Sequence, residues 1–586
     1  MSNRSLITLP VRFVAVDVET TGLDFKNDRV IEIAAVLFEN GRTTAEFNSF
    51  VNPGIKIEPI ITNLTGITQS HIDNSPVFED IAENLMDFLD NNLIIAHNVH
   101  FDKKFLEREF KFYSNFKFRN PTLDSITLCR MAFPFSPNHQ LKTLSSIVNQ
   151  DRNNLHRALC DASTCGKLAY RADSILRNYP KNIRNNMYKV AKNSRTYLSE
   201  YIKALSLLPE SDNKSSVSER EKEPFFGIKT GITEPEPVVE KEILDILGEN
   251  SLFASYMDEF ENRPHQIKLA KETAIAFNKS KITTIEAGTG IGKTLGYLVS
   301  SVLWSVKNNE RVIISTKTKG LQEQLIKKDL PLLKKVLGDI FSATILKGRN
   351  NYVCLRRWHY LLNNSGKLLK SGERRDLLTL IGWIWQTQSG DIFECTGFHP
   401  NRNQKLFDLI SSSALQCLGS KCGFYADCFV NRQRGFALKS NIVIINHALL
   451  FADISGDYGL LGTYNRIIFD EAHALEQTAC QFLGTEINNF IIKNICDIIY
   501  DGRHGFSSQL IDSIEKKMGD QPDNIVSVLL EPVKRLQTES ILLQDAANDF
   551  FNKLCCTFES ITKNKSKYLE KFRYKDSIKS QWNISS

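Results

Sequence analysis

The chain has 586 residues, more than one hydrophobic core supports, so about three or four domains are expected. Hydrophobic residues make up 42% and charged residues 24%, which is an ordinary soluble composition, and the net charge of +6 permits a nucleic-acid partner without requiring one. No apolar run approaches the roughly 18 residues needed to span a bilayer, which excludes a membrane-spanning helix.

The amino terminus, MSNRSLITLPVRF, lacks the apolar region and cleavage site of a secretory signal. We therefore expect a cytoplasmic protein in a reducing compartment. Its 12 cysteines are then expected to be thiols or metal ligands rather than disulfides.

The first predicted element, FVAVDVETTGL over residues 13–23, is a buried strand that carries two carboxylates at its end. Asp17 and Glu19 are two residues apart, so both side chains point to the same face of the strand. Two acids on one face repel each other and resist desolvation, and a pair of divalent cations would remove that penalty. The strand VIEIAAVLF over residues 30–38 is predicted to pair beside it as a hairpin.

Two further acids follow on predicted helices. Asp102, in LIIAHNVHFDKKFL (93–106), opens a helix after a strand-like start, and Asp161 follows His156 in HRALCDA (156–162). Four carboxylates are able to hold two Mg²⁺ or Mn²⁺ ions about 4 Å apart and so clamp the attacking and leaving oxygens of a phosphodiester. A histidine that is neutral near pH 7 accepts the proton of the attacking water.

In this order and on these elements, the segments resemble the three motifs of the DEDDh 3′→5′ exonucleases, the family of the ε proofreading subunit of DNA polymerase III. NPGIKIEPIITNLTGIT (52–68) also resembles the segment that precedes that family's second motif. The resemblance implies an RNase H-like exonuclease domain with His156 as general base. It also implies four metal ligands: Asp17, Glu19, Asp102 and Asp161.

A predicted helix and linker, residues 176–245, follow the nuclease region. Within residues 181–205, basic residues and tyrosines are interleaved, so a helix here would either track a phosphate backbone or present an ordinary solvated face. Residues 209–240 are rich in Ser, Glu, Lys and Pro and are predicted to be a flexible tether. We therefore expect a separate unit after the tether.

Residues 282–298, ITTIEAGTGIGKTLGYL, have the strand–loop–helix pattern of a phosphate-binding loop. Glycines at three positions leave room for backbone N–H groups to turn onto phosphate oxygens. Lys293 would reach the β- and γ-phosphates, and the Thr294 hydroxyl would coordinate Mg²⁺. Ala287 stands where the pattern usually opens with glycine. The three glycines are Gly288, Gly290 and Gly292.

Weaker signals surround this loop. In NRPHQIKLA (262–270), Arg263 and Gln266 are placed to contact the adenine or the loop backbone. VIISTKTKGLQEQL (312–325) and IVIINHALL (442–450) are each predicted to be a strand followed by a helix.

IIFDEAHAL (467–475) is predicted to be a buried strand that ends in two acids. Asp470 would hold Mg²⁺ through water, and Glu471 would polarise the water that attacks the γ-phosphate. A phosphate-binding loop followed by this acidic motif indicates a RecA-like ATPase domain.

Four cysteines lie between the two motifs, and the last three follow the spacing C-x₄-C-x₅-C. Four thiolates suit either a [4Fe–4S] cluster or a structural zinc ion. Zinc sites more often use C-x₂-C pairs, so the wider spacing favours iron–sulfur, and unligated thiols stay open as a third interpretation. Cys395 would be a competing ligand. The four candidates are Cys354, Cys417, Cys422 and Cys428.

KGRNNYVC (347–354), the cysteine triplet, NHALL and DEAH together resemble the iron–sulfur DNA helicases of the DinG/XPD group in superfamily 2. The resemblance implies a [4Fe–4S] insert in the first motor domain, an arch domain after the DEAH box, and 5′→3′ unwinding driven by ATP. Some bacterial DinG-type proteins carry an ε-like exonuclease domain at the amino terminus, and the layout here is similar.

The expected fold class is α/β, with an RNase H-like domain, a RecA-like domain that carries a four-cysteine insert, and a helical arch domain. The predicted parts are 1–175 (exonuclease), 176–245 (helix and linker), 246–345 (first part of the motor domain), 346–436 (iron–sulfur insert), 437–480 (DEAH part) and 481–586 (partial arch).

The sequence after His473 shows no second RecA-like lobe and no arginine finger, a group worth about 10³–10⁵ in phosphoryl-transfer rate. We expect this chain by itself to bind ATP, to hydrolyse it slowly and not to unwind. It would be a fragment, or a second chain would supply the other lobe.

The leading interpretation is a metal-dependent 3′→5′ exonuclease joined to the first half of an iron–sulfur helicase. Its expected partners are single-stranded DNA or DNA 3′ ends, with RNA left open. One alternative is an exonuclease whose inactive motor remnant clamps single strands. Another is a non-enzymatic scaffold in which both sites have decayed.

Overall fold

The structure is a computed structural model. It forms two compact units, Met1–Ala472 and His473–Ser586. No helix in the part of the chain that it describes is both long enough and apolar enough to cross a bilayer. The described residues are 8–114, 118–149, 157–192, 196–210, 234–256, 261–288, 290–455, 459–483, 488–500, 505–518 and 523–562.

The amino-terminal sheet has five strands. They are β1 (Arg12–Thr20), β2 (Val30–Glu39), β3 (Arg42–Phe50), β4 (Leu93–Ala96) and β5 (Thr122–Asp124). Their order across the sheet is β3-β2-β1-β4-β5, in which β1 and β2 form the predicted antiparallel hairpin and β4 joins β1 in parallel. β1 and β2 are almost continuously buried, because helices cover both faces of the sheet.

The described residues of this part of the chain form nine helices. They are α1 (Pro59–Thr65), α2 (Gln69–Asp73), α3 (Phe78–Leu89), α4 (Val99–Ser114), α5 (Ser125–Ala132), α6 (Leu141–Leu144), α7 (Ala158–Arg177), α8 (Lys181–Ala191) and α9 (Tyr197–Leu207). α7 covers one face of β1 and β2, whereas α3 and α4 pack on the other face. This arrangement confirms the expected α/β class and the RNase H-like layout.

The second sheet has four strands, all parallel. They are β6 (Val312–Thr316), β7 (Ala343–Ile345), β8 (Ile442–Asn446) and β9 (Arg466–Phe469), in the order β7-β8-β6-β9. The helices of this region are α10 (Glu240–Leu247), α11 (Leu252–Tyr256), α12 (Pro264–Asn278), α13 (Lys293–Asn308), α14 (Lys319–Gln324), α15 (Leu330–Leu337), α16 (Leu355–Leu368), α17 (Ser371–Gln386), α18 (Gln404–Ile410), α19 (Phe429–Lys439) and α20 (His447–Ser455). The predicted strand–helix units at 312–325 and 442–450 are confirmed as β6 with α14 and β8 with α20.

The apolar run before the phosphate-binding loop is not a strand, and this prediction was wrong. Residues 281–288 have no regular structure, and Ile282 and Ile285 are exposed. A strand needs a hydrogen-bonded neighbour, and within the described ranges β9 pairs only with β6. β9 was predicted to be buried, but its residues are half-buried or exposed because it lies at the edge of the sheet.

The nuclease region and the cysteine-bearing segment share one hydrophobic core. α17 packs against α5 and α8, and Trp383 of α17 is fully buried in the common cluster. The Tyr179 hydroxyl donates a 2.7 Å hydrogen bond to the Met131 carbonyl oxygen and accepts one of 2.7 Å from the Gln386 amide. The parts on either side of the predicted tether are therefore in direct contact, although most of the tether itself lies outside the described residues.

The basic helix proposed as a phosphate track is α8, and one of its cations is internal. Arg184 is fully buried and donates hydrogen bonds of 2.7–2.8 Å to the carbonyl oxygens of Tyr179, Leu205 and Pro209. Arg184 therefore fixes α8 against α9 and is not available to a nucleic acid. Lys181 and Lys189 are exposed, and their contact with a phosphate backbone stays a prediction.

Substituting Gly382 by Ala is expected to destabilise the shared core. A Cβ at this position would lie 2.2 Å from the Met131 carbonyl oxygen, so α17 would have to move away from α5. Overpacking of this kind typically costs about 1–3 kcal/mol, which exceeds the gain of up to about 1 kcal/mol from replacing a helical glycine.

The matched control is Gly372→Ala in the same helix, where a Cβ would meet nothing within 4 Å. Thermal unfolding should show a lower melting temperature for G382A and no loss for G372A. Equal changes in the two variants would contradict the close contact between α17 and α5.

The second unit is helical, as predicted for the region after the DEAH motif. Its helices are α21 (Leu475–Leu483), α22 (Asn489–Ile499), α23 (Phe506–Met518) and α24 (Asp523–Thr562). α22 and α23 both pack on the long α24, where the Ser540 hydroxyl donates a 3.3 Å hydrogen bond to the carbonyl oxygen of the buried Cys496. The basic, aromatic stretch at 563–586 lies outside the described residues.

Candidate functional site

Three of the four predicted acidic ligands meet at the carboxyl end of β1. Asp17 and Glu19 lie on one face of this strand, and Asp161 lies in the first turn of α7, which packs across that face. One carboxylate oxygen from each of these three residues lies within 4.8 Å of the other two. Residues far apart in the sequence thus converge on one point with the oxygen donors that Mg²⁺ and Mn²⁺ prefer.

Asp102, the fourth predicted ligand, lies in the first turn of α4 and is 4% exposed. It is not a member of the compact group of three. Its carboxylate is nevertheless close enough to interact electrostatically with Asp17 and Glu19. Asp102 therefore borders the group from the α4 side.

Burial and mutual repulsion raise the pKa values of Asp17 and Glu19. Desolvation, followed by the charges of Asp102, Asp161, Glu19 and Glu32, raises the pKa of Asp17 well above its ordinary value. Desolvation and the charges of Asp161 and Glu32 also raise the pKa of Glu19 to about 7. The charge of Arg157 opposes this shift with a smaller effect. A divalent cation among these oxygens would remove the repulsion, so the acids fit a metal centre.

Desolvation likewise raises the pKa of Asp102 to about 7, although backbone hydrogen bonds oppose the shift. A carboxyl with a raised pKa contributes stability below its unfolded pKa, here 3.8 for Asp and 4.5 for Glu, and loses it as pH rises through the folded value. We therefore expect these groups to lower the melting temperature of the metal-free chain between about pH 5 and pH 8.

Cations bind the ionised carboxylates, so Mn²⁺ should raise the melting temperature more at about pH 8 than at about pH 5.5. Calorimetry with and without Mn²⁺ at both pH values checks this expectation. The same Mn²⁺-induced increase at both pH values would show that these carboxyls do not bind the ion.

His156, the expected general base, lies outside the described residues, and α7 begins two residues later at Ala158. The sequence interpretation missed Glu32, which is fully buried on β2 directly opposite Glu19. A signal was present, because Glu32 is the single charged residue in the apolar run at 30–38. It also missed Asp124, which accepts hydrogen bonds from the backbone N–H groups of Asn98 and of the first turn of α5.

The phosphate-binding loop leads directly into α13. Gly290 and Gly292 have φ values of 81° and 79°, a left-handed conformation that glycine adopts without strain, and Lys293 is the first residue of the helix. The side chains of Gln266 and Arg263 donate hydrogen bonds of 2.8 and 3.3 Å to the carbonyl oxygens of Gly292 and Gly290. Both side chains thus lie against the loop backbone.

The remaining residues of the predicted nucleotide site lie close to this loop. The Lys293 ammonium is 3.7 Å from a Glu471 carboxylate oxygen. The Tyr297 hydroxyl donates a 3.3 Å hydrogen bond to Asp470 and is also hydrogen-bonded to Thr294. Desolvation, followed by the charge of Glu471, raises the pKa of Asp470. Gly288 has open space where a Cβ would stand.

The four candidate cysteines are not arranged as a closed zinc site. No three of their sulfurs fall within 4.8 Å of one another in the described part of the chain, whereas tetrahedral ligands at about 2.3 Å from zinc would be closer together. Cys354 and Cys428 precede α16 and α19, and Cys422 follows a short turn. A hydrogen bond from the backbone of Gly419, together with Arg349, lowers the pKa of the exposed Cys417. This environment favours the thiolate form of Cys417.

Cys395 does not belong with these four cysteines. It is fully buried in the shared hydrophobic core, and desolvation raises the pKa of its thiol to about 12. A buried neutral thiol of this kind is a packing residue rather than a competing ligand.

Comparison with known proteins places the acids in a recognised domain. Residues 14–169 match the RNase T exonuclease family. The chain is 32% identical over 493 residues to the 3′-5′ exonuclease DinG of Bacillus subtilis (strain 168), which covers 81% of this chain and 51% of that protein. It is 27% identical over 510 residues to the 3′-5′ exonuclease DinG of Staphylococcus aureus (strain MRSA252), which covers 86% of this chain and 55% of that protein.

Among solved structures, an exonuclease X in complex with 5′ overhanging duplex DNA covers 28% of this chain and 91% of its own, at 21% identity and a TM-score of 0.23. The chain spans about half the length of the curated relatives that it matches. It therefore carries an exonuclease domain at its amino-terminal end and is related over most of its length to DinG-type 3′-5′ exonucleases.

Proposed function

We propose that this chain is a metal-dependent 3′→5′ exonuclease that releases nucleotides from the ends of nucleic acids. The observation that carries the proposal is the convergence of Asp17, Glu19 and Asp161, whose carboxylate oxygens lie within 4.8 Å of one another. Buried acids with raised pKa values and few basic neighbours are a common feature of catalytic metal sites. Single-stranded DNA is the expected substrate, and RNA is the competing one.

In this proposal the protein's own groups position the ions and the substrate end. Asp17, Glu19 and Asp161 hold divalent cations from β1 and α7, and Asp102 completes the acidic wall from α4. Bound Mg²⁺ or Mn²⁺ would supply the Lewis acidity that stabilises charge on the scissile phosphodiester. His156, which precedes α7, would accept the proton of the attacking water.

The test is degradation of a 5′-labelled single strand with and without phosphorothioate linkages at one end. Successive shortening that needs Mg²⁺ or Mn²⁺ and stops when the 3′-terminal linkages are protected supports the proposal. Internal cutting, shortening from the 5′ end, or activity that survives chelation of divalent ions would overturn it. A matched RNA strand in the same assay decides between the two substrates.

A second function, nucleotide binding by a RecA-like motor domain, is favoured by the approach of Lys293 to Glu471 at 3.7 Å. Here Gly288, Gly290 and Gly292 would wrap the phosphates, Thr294 and Asp470 would hold Mg²⁺, and Glu471 would orient water. Arg263 and Gln266 would support the loop backbone. In this proposal the second unit is the partial arch and Cys354, Cys417, Cys422 and Cys428 would ligate a [4Fe–4S] cluster.

Whether that domain is a motor or a passive clamp is decided by its response to ATP. A motor would change the degradation of long strands when ATP is added, whereas a single-strand-binding clamp would leave it unchanged. Iron and acid-labile sulfide, measured together with zinc on anaerobically purified protein, distinguish the iron–sulfur cluster from zinc.

A further inference from the structure

The buried Glu32 is the strongest unexplained group near the acids. It lies on β2 with no exposed surface, and its Cα is paired with that of Glu19 across the hairpin. Side chains of directly opposed residues project to the same face of a sheet, so Glu32 stands beside the metal-binding carboxylates. An uncompensated charge here would be strongly destabilising.

The compensation comes from the start of α7. Arg157 donates to Glu32 through two guanidinium nitrogens, Nη2 at 3.1 Å from Oε1 and Nε at 3.4 Å from Oε2. The backbone N–H of Ala158 donates to Oε2 at 3.3 Å. The donors are Arg157, the residue before α7, and Ala158, the first residue of the helix, so Glu32 accepts hydrogen bonds at three points from this end of α7.

Glu32 replaces the missing cap of α7. The residue before the helix, Arg157, makes no side-chain capping bond of its own, and the first N–H groups of any helix lack intrahelical partners. Glu32, on a neighbouring strand, accepts a hydrogen bond from one of these N–H groups, that of Ala158. Its carboxylate also carries the negative charge that a helix amino terminus favours. The position of α7 along the sheet is thereby tied to β2.

This tie matters because α7 carries part of the candidate site. The N–H of Asp161 donates a 3.1 Å hydrogen bond to the carbonyl oxygen of Arg157, so the metal-binding acid lies one turn from the anchored residue. A shift of the helix end would move Asp161 away from Asp17 and Glu19.

We infer that Glu32 and Arg157 are positioning residues that hold Asp161 in register with the acids of β1. This role rests on the proposed nuclease activity. Partners that orient metal ligands typically affect metal affinity or activity by about 10–100-fold when substituted. Glu32→Gln keeps the shape of the side chain but presents an amide where Arg157 and Ala158 both need an acceptor.

The chain offers a matched control in the pair formed by Glu109 and Arg29. Glu109 is 1% exposed and accepts two hydrogen bonds from the Arg29 guanidinium, at 2.8 and 2.9 Å. It also accepts a longer bond, of 3.4 Å, from the backbone N–H of Val30. The pair therefore has the same chemistry and a similarly buried carboxylate, although Arg29 is less exposed than Arg157, at 15% against 50%. It joins α4 to the start of β2 rather than anchoring α7.

The experiment compares E32Q, Arg157→Lys and E109Q with the unchanged chain by steady-state nuclease kinetics, Mn²⁺ titration and melting temperature. We expect kcat in E32Q to fall by about 10–100-fold and the Mn²⁺ concentration for half-maximal rate to rise by a similar factor, with KM for the oligonucleotide little changed. R157K, which keeps the charge but loses the paired donors, should show a smaller fall. E109Q should have a lower melting temperature than the unchanged chain but the same kcat and the same Mn²⁺ requirement.

If kcat falls to the same extent in E32Q and E109Q, in proportion to the fall in their melting temperatures, Glu32 is merely structural and the inference is overturned. Unchanged kcat and Mn²⁺ requirement in both E32Q and R157K would overturn it as well. If E32Q fails to fold, R157K alone decides between these results. A chain that releases no nucleotides without any substitution overturns the proposed nuclease instead.

Discussion

Replacing Asp17 by Asn is expected to abolish nucleotide release and, at the same time, to raise the melting temperature of the metal-free chain. Asp17 is the most strongly repelled of the clustered acids, because desolvation and four neighbouring carboxylates all raise its pKa. At about pH 8, above the pKa of about 7 of both Glu19 and Asp102, a neutral amide at position 17 removes one carboxyl from among ionised neighbours. The amide is nearly isosteric, so packing around β1 should be kept.

The loss of activity should be large, because the neutral amide that replaces the Asp17 carboxylate would be a much weaker ligand for a divalent cation. We expect the rate to fall at least about 10³-fold, which corresponds to roughly 4 kcal/mol of transition-state stabilisation. Single-turnover degradation of a labelled strand at saturating Mn²⁺ measures this loss. Thermal unfolding after chelation of metal measures the gain in stability.

The control is Asp87→Asn, a change of the same kind on the exposed side of α3. D87N should change neither the rate of nucleotide release nor the melting temperature. If D17N kept more than a tenth of the rate, Asp17 would not be an essential ligand. If D17N lost both activity and stability, the loss of activity would reflect misfolding and the repulsion argument would be wrong.

The second large effect is expected from Lys293→Ala at the start of α13. The Lys293 ammonium lies 3.7 Å from a Glu471 carboxylate oxygen. Lys293 directly follows the loop that contains Gly290 and Gly292, where it would contact a bound phosphate. Without it, the β- and γ-phosphates of a bound nucleotide would lose their cationic partner. We expect ATP affinity to fall at least about 100-fold, or roughly 3 kcal/mol.

Titration of a fluorescent ATP analogue in the presence of Mg²⁺ measures this change. Lys281→Ala is the control, because Lys281 is an exposed lysine just before the same loop and has no predicted contact with nucleotide. Equal affinity in the two variants would mean that the loop does not bind phosphate in this chain. Loss of affinity in K293A alone would support the nucleotide site whether the domain is a motor or a clamp.

The acidic site was predictable from sequence because its parts follow simple geometry. Asp17 and Glu19 share a face by the two-residue period of a strand, and Asp161 begins a helix that must cover that strand. Glu32 was missed because a charged residue in an apolar strand has no distinctive spacing of its own. Only the pairing of β1 with β2 reveals that it opposes Glu19.

Other errors arose where tertiary structure overrides local pattern. The run at 282–287 is rich in β-branched residues, but strand formation depends on a neighbour that local composition does not specify. Arg184 has the spacing of a solvated cation and is instead buried against three carbonyl oxygens. In both cases the deciding interaction involves residues distant in the sequence.

α5, α8 and α17 share a hydrophobic core. The low-complexity connection between Pro209 and Glu234 is therefore not what sets the distance between the nuclease region and the cysteine-bearing segment. A linker sets the reach of a tethered domain only when the domains would otherwise separate. Here buried side chains already fix the spacing between the carboxylate cluster and the cysteine-bearing segment. Insertions in the connection should therefore be tolerated, because added length does not change that spacing.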